Sequence, residues 1–205
     1  MTLNWLHIAK EIQALAQAGL TYSDNQFDLD RYGQLINISA RILAEYSNTP
    51  VEKITELFKN EKGYQTPKVD IRSAGFKDGK VLMVKEKIDG KWSLPGGWAD
   101  VNATVRQSAI KECSEEAGAI VEPRRIIAVH YANRQNELKS PFSIYKIFVE
   151  CTLIEEQFTE NTETLESGFF TLDSLPELST NRNTFDQVKT CFESRNKQFV
   201  EPQFD

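Results

Sequence analysis

The chain has 205 residues, 40% of them hydrophobic, and a formal net charge of -6. That length and apolar content suit one domain with a small appendage, and the acidic balance argues against a broad nucleic-acid footprint, leaving room only for a groove that takes one strand end. No window resembles an uncharged apolar membrane span and the opening MTLNWLHIAKEIQ lacks a signal pattern, so a cytoplasmic protein without a membrane partner is expected.

The first sixty or so residues read as helical. Trp5, Ile8, Ile12, Leu15 and Ala16 recur at helical spacing, with Gly19 as a stop. A second helix starts after Asn25 or Asp28 and carries Tyr32, Leu35, Ile36, Ile38, Ile42 and Leu43. A third follows Thr49-Pro50, with Pro50 at a tolerated early position. Residues 60–67, NEKGYQTP, form a connector, which divides the chain into a helical region 1–66 and a second domain 67–205. Val69 to Phe76 and Val81 to Lys87 read as strands joined by a hairpin turn at Asp78-Gly79, and a second Asp-Gly pair stands at Asp89-Gly90. Further on, Arg125 to Tyr131 and Phe142 to Leu153 read as strands around a polar loop, Gly168 to Thr171 as a short strand, and Phe185 to Phe192 as a closing helix. A mixed sheet between helices follows from that order.

The chemistry concentrates in GGWADVNATVRQSAIKECSEEAG, Gly96 to Gly118. Thr104 and Gln107 make a capping box, and Gly118 stands where a left-handed cap ends a helix, so a helix over 104–117 is expected. Ala109, Ile110, Cys113 and Ala117 form its inward face, with Glu112, Glu115 and Glu116 on a rim toward the Gly96-Gly97 turn. Carboxylates at i, i+3 and i+4 concentrate negative charge that a hard cation, Mg²⁺ or Mn²⁺, relieves. A solvated acidic helix face is the plain alternative, and the glycine turn beside the cluster weighs against it. Cys113, Cys151 and Cys191 lack metal-ligand spacing and read as buried thiols, and with only two His a zinc site is not expected.

These residues resemble the signature of the Nudix hydrolases, G-x5-E-x7-R-E-U-x-E-E-x-G-U with U a bulky apolar residue. Gly97, Glu112, Cys113, Glu115, Glu116 and Gly118 fall in register, whereas Ala103 replaces the first Glu, Lys111 the Arg, and Ala119 the last apolar residue. In the family the first two of those positions commonly form a structural ion pair, so this helix is expected to be held by other contacts. Leu94-Pro95-Gly96-Gly97-Trp98-Ala99-Asp100, the helical front segment, the run Ser140 to Lys146, and Glu166 to Phe170 are similar to a Nudix subgroup with an N-terminal helical region. That resemblance implies an α+β fold with an α/β/α sandwich, divalent-metal dependence, backbone carbonyl help from Gly96 or Gly97, and a homodimer built through the helical region. It further implies cleavage of a nucleoside diphosphate linked to a small group, CDP-choline first, with trimming of an RNA 3′ end as a second activity. ADP-ribose and nucleotide sugars share the bond being cut, and the changes at Ala103 and Lys111 raise a rival, a binding module that has lost its chemistry.

Glu112 and Glu116, four apart, are the expected main ligands, with Glu115 completing the cluster directly or through water. Glu163 and Glu166 precede a strand where the resembling proteins often carry a functional glutamate, and Glu166 is the first choice of general base, with a glutamate of the box as its rival. Arg72, Lys85, Asn133 and Arg134 are candidate phosphate contacts, and Phe142 and Tyr145 candidate stacking faces for a base. His130 reads as a structural residue.

Overall fold

The computed structural model describes residues 4–47, 49–59, 61–132, 136, 139–195, 197–199 and 201–205. By contact density the chain divides into two units, Met1–Pro67 with Lys139–Ser143, and Lys68–Leu138 with Ile144–Asp205. Asn133 and Arg134 lie outside the described residues.

The first unit holds α1 (Trp5–Tyr22), α2 (Gln26–Ser47) and α3 (Val51–Lys59). Asn4 caps α1 by accepting from the His7 N–H, and the Asn25 side chain accepts from the Phe27 N–H at 2.9 Å to open α2. Gly19 does not stop α1. A Cβ there would lie 2.4 Å from the Tyr32 ring, so the glycine serves close packing of α1 on α2. Ala9, Ala40, Leu43, Ile54 and Phe58 form the core of this unit, and Phe142 packs edge-on against Phe58 with ring centroids 5.6 Å apart. Leu15 and Phe27 remain 66% and 73% exposed, a large apolar surface for a helical unit to leave in water.

The second unit is built on a seven-stranded mixed sheet. Strands β1 (Lys68–Lys77) and β2 (Lys80–Glu86) are joined at Asp78-Gly79, whose φ values of 48° and 82° are the paired left-handed conformations of a type I′ turn. β3 (Trp92–Ser93) and β6 (Thr164–Phe170) flank β2. On the other side β1 runs parallel to β5 (Ile144–Glu156), which pairs antiparallel with β4 (Ala119–Tyr131), and β7 (Gln203–Phe204) closes the edge. β4 starts six residues before the sequence reading put it, because 119–124 alternates buried and exposed like a strand despite Pro123. β5 starts at Ile144, two residues after the expected Phe142, since Phe142 belongs to the helical unit.

Helices cover both faces of the sheet. α4 (Val105–Ala117) packs Ala109, Cys113 and Ala117 on Ile71, Leu82, Val84 and Val149. α5 (Phe185–Ser194) packs Val188 and Cys191 on Ala74, Met83 and Phe148. The α/β/α layering is the one expected. All three cysteines are free and buried, and burial pushes their thiols up, so they act as core. Among the described residues no helix is long and apolar enough to cross a membrane.

Candidate active site

Residues 95–99 run beside β1 as an irregular strand. Ser73 N–H donates to the Pro95 carbonyl at 2.9 Å, Ile71 N–H to Gly97 at 2.8 Å, and Ala99 N–H to Val69 at 2.9 Å. The approach is so close that a Cβ at Gly96, whose φ is 154°, would lie 2.0 Å from the Ile71 carbonyl oxygen. Only glycine fits there.

α4 delivers its carboxylates to this loop. Thr104 accepts from the Gln107 N–H and Gln107 returns the bond, while Gly118, φ 59°, closes the helix, so both ends fall at the expected residues. Glu116 is buried and its Oε2 accepts from the Gly96 N–H at 2.8 Å. One turn back, Glu112 is buried against Gly97, where a Cβ would sit 3.0 Å from Oε2. Glu112 accepts no hydrogen bond among the described residues. The inward face is therefore Ala109, Glu112, Cys113, Glu116 and Ala117, and Ile110, expected inside, is 40% exposed. A helix of 3.6 residues per turn places 112 and 116 on the same side as 109 and 113, with 110 at the border of that face.

Glu115 lies about 100° around the axis from Glu116. Its side chain is 61% exposed and faces Lys111 at 3.7 Å. Accordingly, no three His, Cys, Asp or Glu side chains converge as a metal cage among the described residues. Lys111 also donates to Asp100 Oδ2 at 2.7 Å. This ion pair occupies the region where Ala103 supplies no acid, so the acid that anchors the helix to its entry loop comes from three residues earlier.

Burial opposes ionisation of both inner carboxylates. Burial pushes the Glu116 carboxyl up to about 7, opposed by the Arg72 guanidinium and the Gly96 N–H. Burial likewise raises Glu112, with Glu115 and Glu163 adding repulsion and Lys111 and Arg72 opposing it. In the loop, the Gly97 carbonyl is engaged with Ile71, whereas the Gly96 carbonyl oxygen meets no donor among the described residues. Glu112, Glu116 and the Gly96 carbonyl thus offer a small set of hard oxygen donors, which fits an ion that takes one or two carboxylates and fills its other positions with water and phosphate.

The other candidates fall in several places. Arg72 is fully buried, with Nε 2.9 Å from Asp70 Oδ1 and Nη1 3.2 Å from the Leu94 carbonyl, so it backs the loop and has no exposed atom to offer a substrate. Lys85 and Glu166 are cross-strand neighbours on β2 and β6 and face one another at 3.5 Å, each partly spending the charge of the other. Glu163 acts on Glu112 through its charge. It sits in a turn where Asn161 Oδ1 accepts from the Glu163 and Thr164 N–H groups, and that turn is bolted to α4 by Thr164 Oγ1 and Asn161 Nδ2 donating to the Glu116 carbonyl at 2.7 and 3.3 Å. Tyr145 is 44% exposed and stacks edge-on with Tyr131. Phe142 belongs to the helical unit, where its carbonyl accepts from Lys10. His130 is buried against Phe148. Sequence reasoning missed Asp70, Lys146 and Asn183, polar residues buried in strands and a distant loop whose partners no local pattern reveals.

A model of the NUDIX domain matches residues 71–189, and a model described as a UDP-X-like, N-terminal oligomerisation domain matches residues 4–58. The chain belongs to the Nudix hydrolases, a family that needs divalent cations such as Mg²⁺ or Mn²⁺. YjhB of Bacillus subtilis strain 168, named as a candidate ADP-ribose pyrophosphatase, is 41% identical over 189 residues, covering 92% of this chain and 91% of its own. A crystal structure of an ADP-ribose pyrophosphatase from Streptococcus suis 89-1591 aligns with TM-score 0.64 and 42% identity over 68% of this chain and all of that one. A crystal structure of a UDP-X diphosphatase aligns with TM-score 0.64 and 29% identity over 97% of both chains.

Proposed function

We propose that the protein hydrolyses the pyrophosphate bond of a nucleoside diphosphate joined to a small group, with Glu112, Glu116 and the Gly96 carbonyl as the protein's donors to a divalent cation. The observation that carries this reading is the pairing of two buried carboxylates with a glycine carbonyl left without a donor. Glu116 accepts from the Gly96 N–H and so fixes the Pro95–Gly96 peptide, which is joined through the Gly96 Cα to the peptide that carries that carbonyl. When bound, such a cation neutralises charge on phosphate oxygens and lowers the pKa of a water. Glu112 and Glu116 hold their oxygens ready for it, and the cation in turn lets both stay ionised. Glu115 acts from the rim, through water and through its pair with Lys111. Glu163 is the better placed general base, because the Asn161–Thr164 turn ties it to α4 and its charge is felt at Glu112.

For the leaving group, the names of the relatives put ADP-ribose first, with UDP-linked compounds next. CDP-choline is retained as a substrate of the same bond type. Trimming of an RNA 3′ end is the weakest of these, since the chain carries 30 acidic against 24 basic residues and so has no charge excess for a long strand. The N-terminal helices would join two copies into a homodimer, supported by the oligomerisation model matching 4–58 and by exposed Leu15 and Phe27. The deciding experiment is a hydrolysis screen of ADP-ribose, UDP-sugars, CDP-choline and a short RNA with Mg²⁺ or Mn²⁺, using Glu112→Gln as the blank. Release of a nucleoside monophosphate from at least one, abolished in the blank, is expected. Inertness toward every compound would overturn the reading.

A further inference from the structure

Behind the Gly96 loop lies a closed ring of buried polar contacts that the proposed chemistry does not itself use. Leu94, two residues before Gly96, is held at both ends of its backbone: its N–H donates to Asn183 Oδ1 at 2.8 Å and its carbonyl accepts from Arg72 Nη1 at 3.2 Å. Arg72 is fixed by Asp70 at two points, Nε to Oδ1 at 2.9 Å and Nη2 to Oδ2 at 3.3 Å. The same carboxylate faces Lys146 Nζ at 3.7 Å. Lys146 donates to the carbonyls of Asn181, at 2.7 Å, and of Arg182. Those carbonyls belong to the segment that carries Asn183, so the ring returns to Leu94.

Arg72, Lys146 and Asn183 are at most 1% exposed and Asp70 is 6% exposed. Burying a guanidinium, a carboxylate, an amide and a lysine amine whose pKa burial and Arg72 lower to about 7 costs desolvation that a packed apolar core would avoid, so stability alone is a poor reason for such a ring. Its geometry suggests another. The Leu94 peptide is followed by Pro95, whose ring fixes φ, and then by Gly96, so an orientation imposed at Leu94 passes down a stiff link to the Gly96 peptide. The N–H of that peptide holds Glu116, and Arg72 also lies within Coulombic range of Glu116.

We propose that the Asp70–Arg72–Lys146–Asn183 ring is a positioning device that sets the Leu94–Gly97 loop, and through it the Gly96 carbonyl and Glu116, in the geometry that accepts the divalent cation. The inference rests on reading Glu112, Glu116 and Gly96 as the cation site. Asp70, Arg72 and Asn183 are then positioning residues, acting through backbone they hold and touching neither cation nor substrate.

The test is titration of Mn²⁺ into the full chain by calorimetry, with kcat and KM for ADP-ribose or the best substrate of the screen measured at saturating Mg²⁺. Asn183→Leu removes the acceptor at similar volume, Asn183→Asp keeps it, and Arg72→Lys keeps the charge but loses the two-point fork. Partners behind metal ligands are typically worth about 10- to 100-fold in metal affinity, so Asn183→Leu and Arg72→Lys are expected to raise the Mn²⁺ Kd by that order while KM at saturating metal stays within about twofold. Asn183→Asp should recover most of the affinity. Glu116→Gln is the benchmark. If it binds Mn²⁺ like the native chain, the cation-site reading fails and the ring's role falls with it. If it loses Mn²⁺ while Asn183→Leu and Arg72→Lys, folded by circular dichroism, keep the native Kd, the ring is only structural and this inference alone is overturned. Should Arg72→Lys fail to fold, the Asn183 pair decides.

Discussion

The inner and outer sides of α4 carry the same residue type in two physical states. On the inner side Glu112 and Glu116 are buried and pressed against glycine backbone, and both carboxyls are raised by desolvation. On the outer side Glu115 is open to water and shares Lys111 with Asp100. Three glutamates within five residues thus divide into two whose ionisation burial opposes and one that stands in water beside a lysine. The difference lies in what surrounds each carboxylate: the inner pair meets the Gly96 N–H and the Gly97 backbone, the outer one a lysine and solvent. On the proposed reading chemistry belongs to the buried side, while on the exposed side the Lys111–Asp100 pair ties the helix to its entry loop.

The sharpest way to break that division is to ask which carboxylate outside α4 works with the inner pair. Glu163 is expected to be the base and Glu166 a cross-strand partner of Lys85. Glu163→Gln should then lower kcat by roughly 10²- to 10⁴-fold with Mn²⁺ affinity nearly intact, the usual weight of a general base. Glu166→Gln should leave kcat within a few fold. Steady-state kinetics on both variants at saturating Mg²⁺ reads the contrast, and the reverse pattern would return the role to Glu166 and detach the Asn161–Thr164 turn from the mechanism.

How much of this could be read from the sequence depends on whether a feature is local. The Thr104 capping box, the Gly118 cap and the Asp78-Gly79 turn need only neighbours, and each stands where the residues say. The stacking of Glu112 on Glu116 is equally local. Which carboxylates are buried is not, because burial depends on Gly96, Arg72 and β1, brought in from other parts of the chain. Ile110 looked like core on composition, but the helix places it at the border of the inward face, and two glutamates face the loop. Glu163 and Glu166 both precede the Gly168-Phe169-Phe170 run and look alike in sequence, whereas the bond from Thr164 Oγ1 to the Glu116 carbonyl, which ties the Glu163 turn to α4, is visible only in the fold. Arg72 reads as a phosphate contact because phosphates call for cations, and only the fold shows it enclosed with Asp70. The replacement of Ala103 by Asp100 as the anchoring acid was visible as a vacancy, with its occupant settled by how the loop folds back.

A second contrast between the sides of α4 lies in pH. The Glu116 carboxyl titrates near 7 in the fold against an ordinary 4.5. An acid with a raised folded pKa binds more protons folded than unfolded between those values, so the metal-free protein should lose stability as pH rises from about 4.5 to about 7, by an amount on the order of a few kcal/mol from this group. Mg²⁺ competes with the proton, so its stabilisation should be small at pH 5 and large at pH 8. Thermal melts with and without Mg²⁺ at both pH values read this directly, and Glu116→Gln should flatten the metal-free profile. An equal Mg²⁺ shift at pH 5 and pH 8 would show that protons and cation do not share the inner carboxylates.

The smallest effect is expected outside. Lys111, Asp100 and Glu115 have side chains 43%, 57% and 61% exposed, so their attraction is screened by water and salt and each pair repays the order it imposes only in part. Asp100→Asn removes the shorter contact without changing shape. Its melting temperature should stay within about 2 °C of the native protein, the difference should vanish in 0.5 M salt (a roughly 4 Å Debye length), and turnover should hold within about twofold. α4 keeps its place without this pair because Ala109, Cys113 and Ala117 remain buried on the sheet, Thr104 and Gly118 still cap both ends, and the Asn161–Thr164 turn still bonds the Glu116 carbonyl. A large loss of turnover in Asp100→Asn would mean that the outer side does more than anchor the helix. It would make the entry loop from Gly97 to Thr104, carried by Asp100, part of what sets the inner carboxylates.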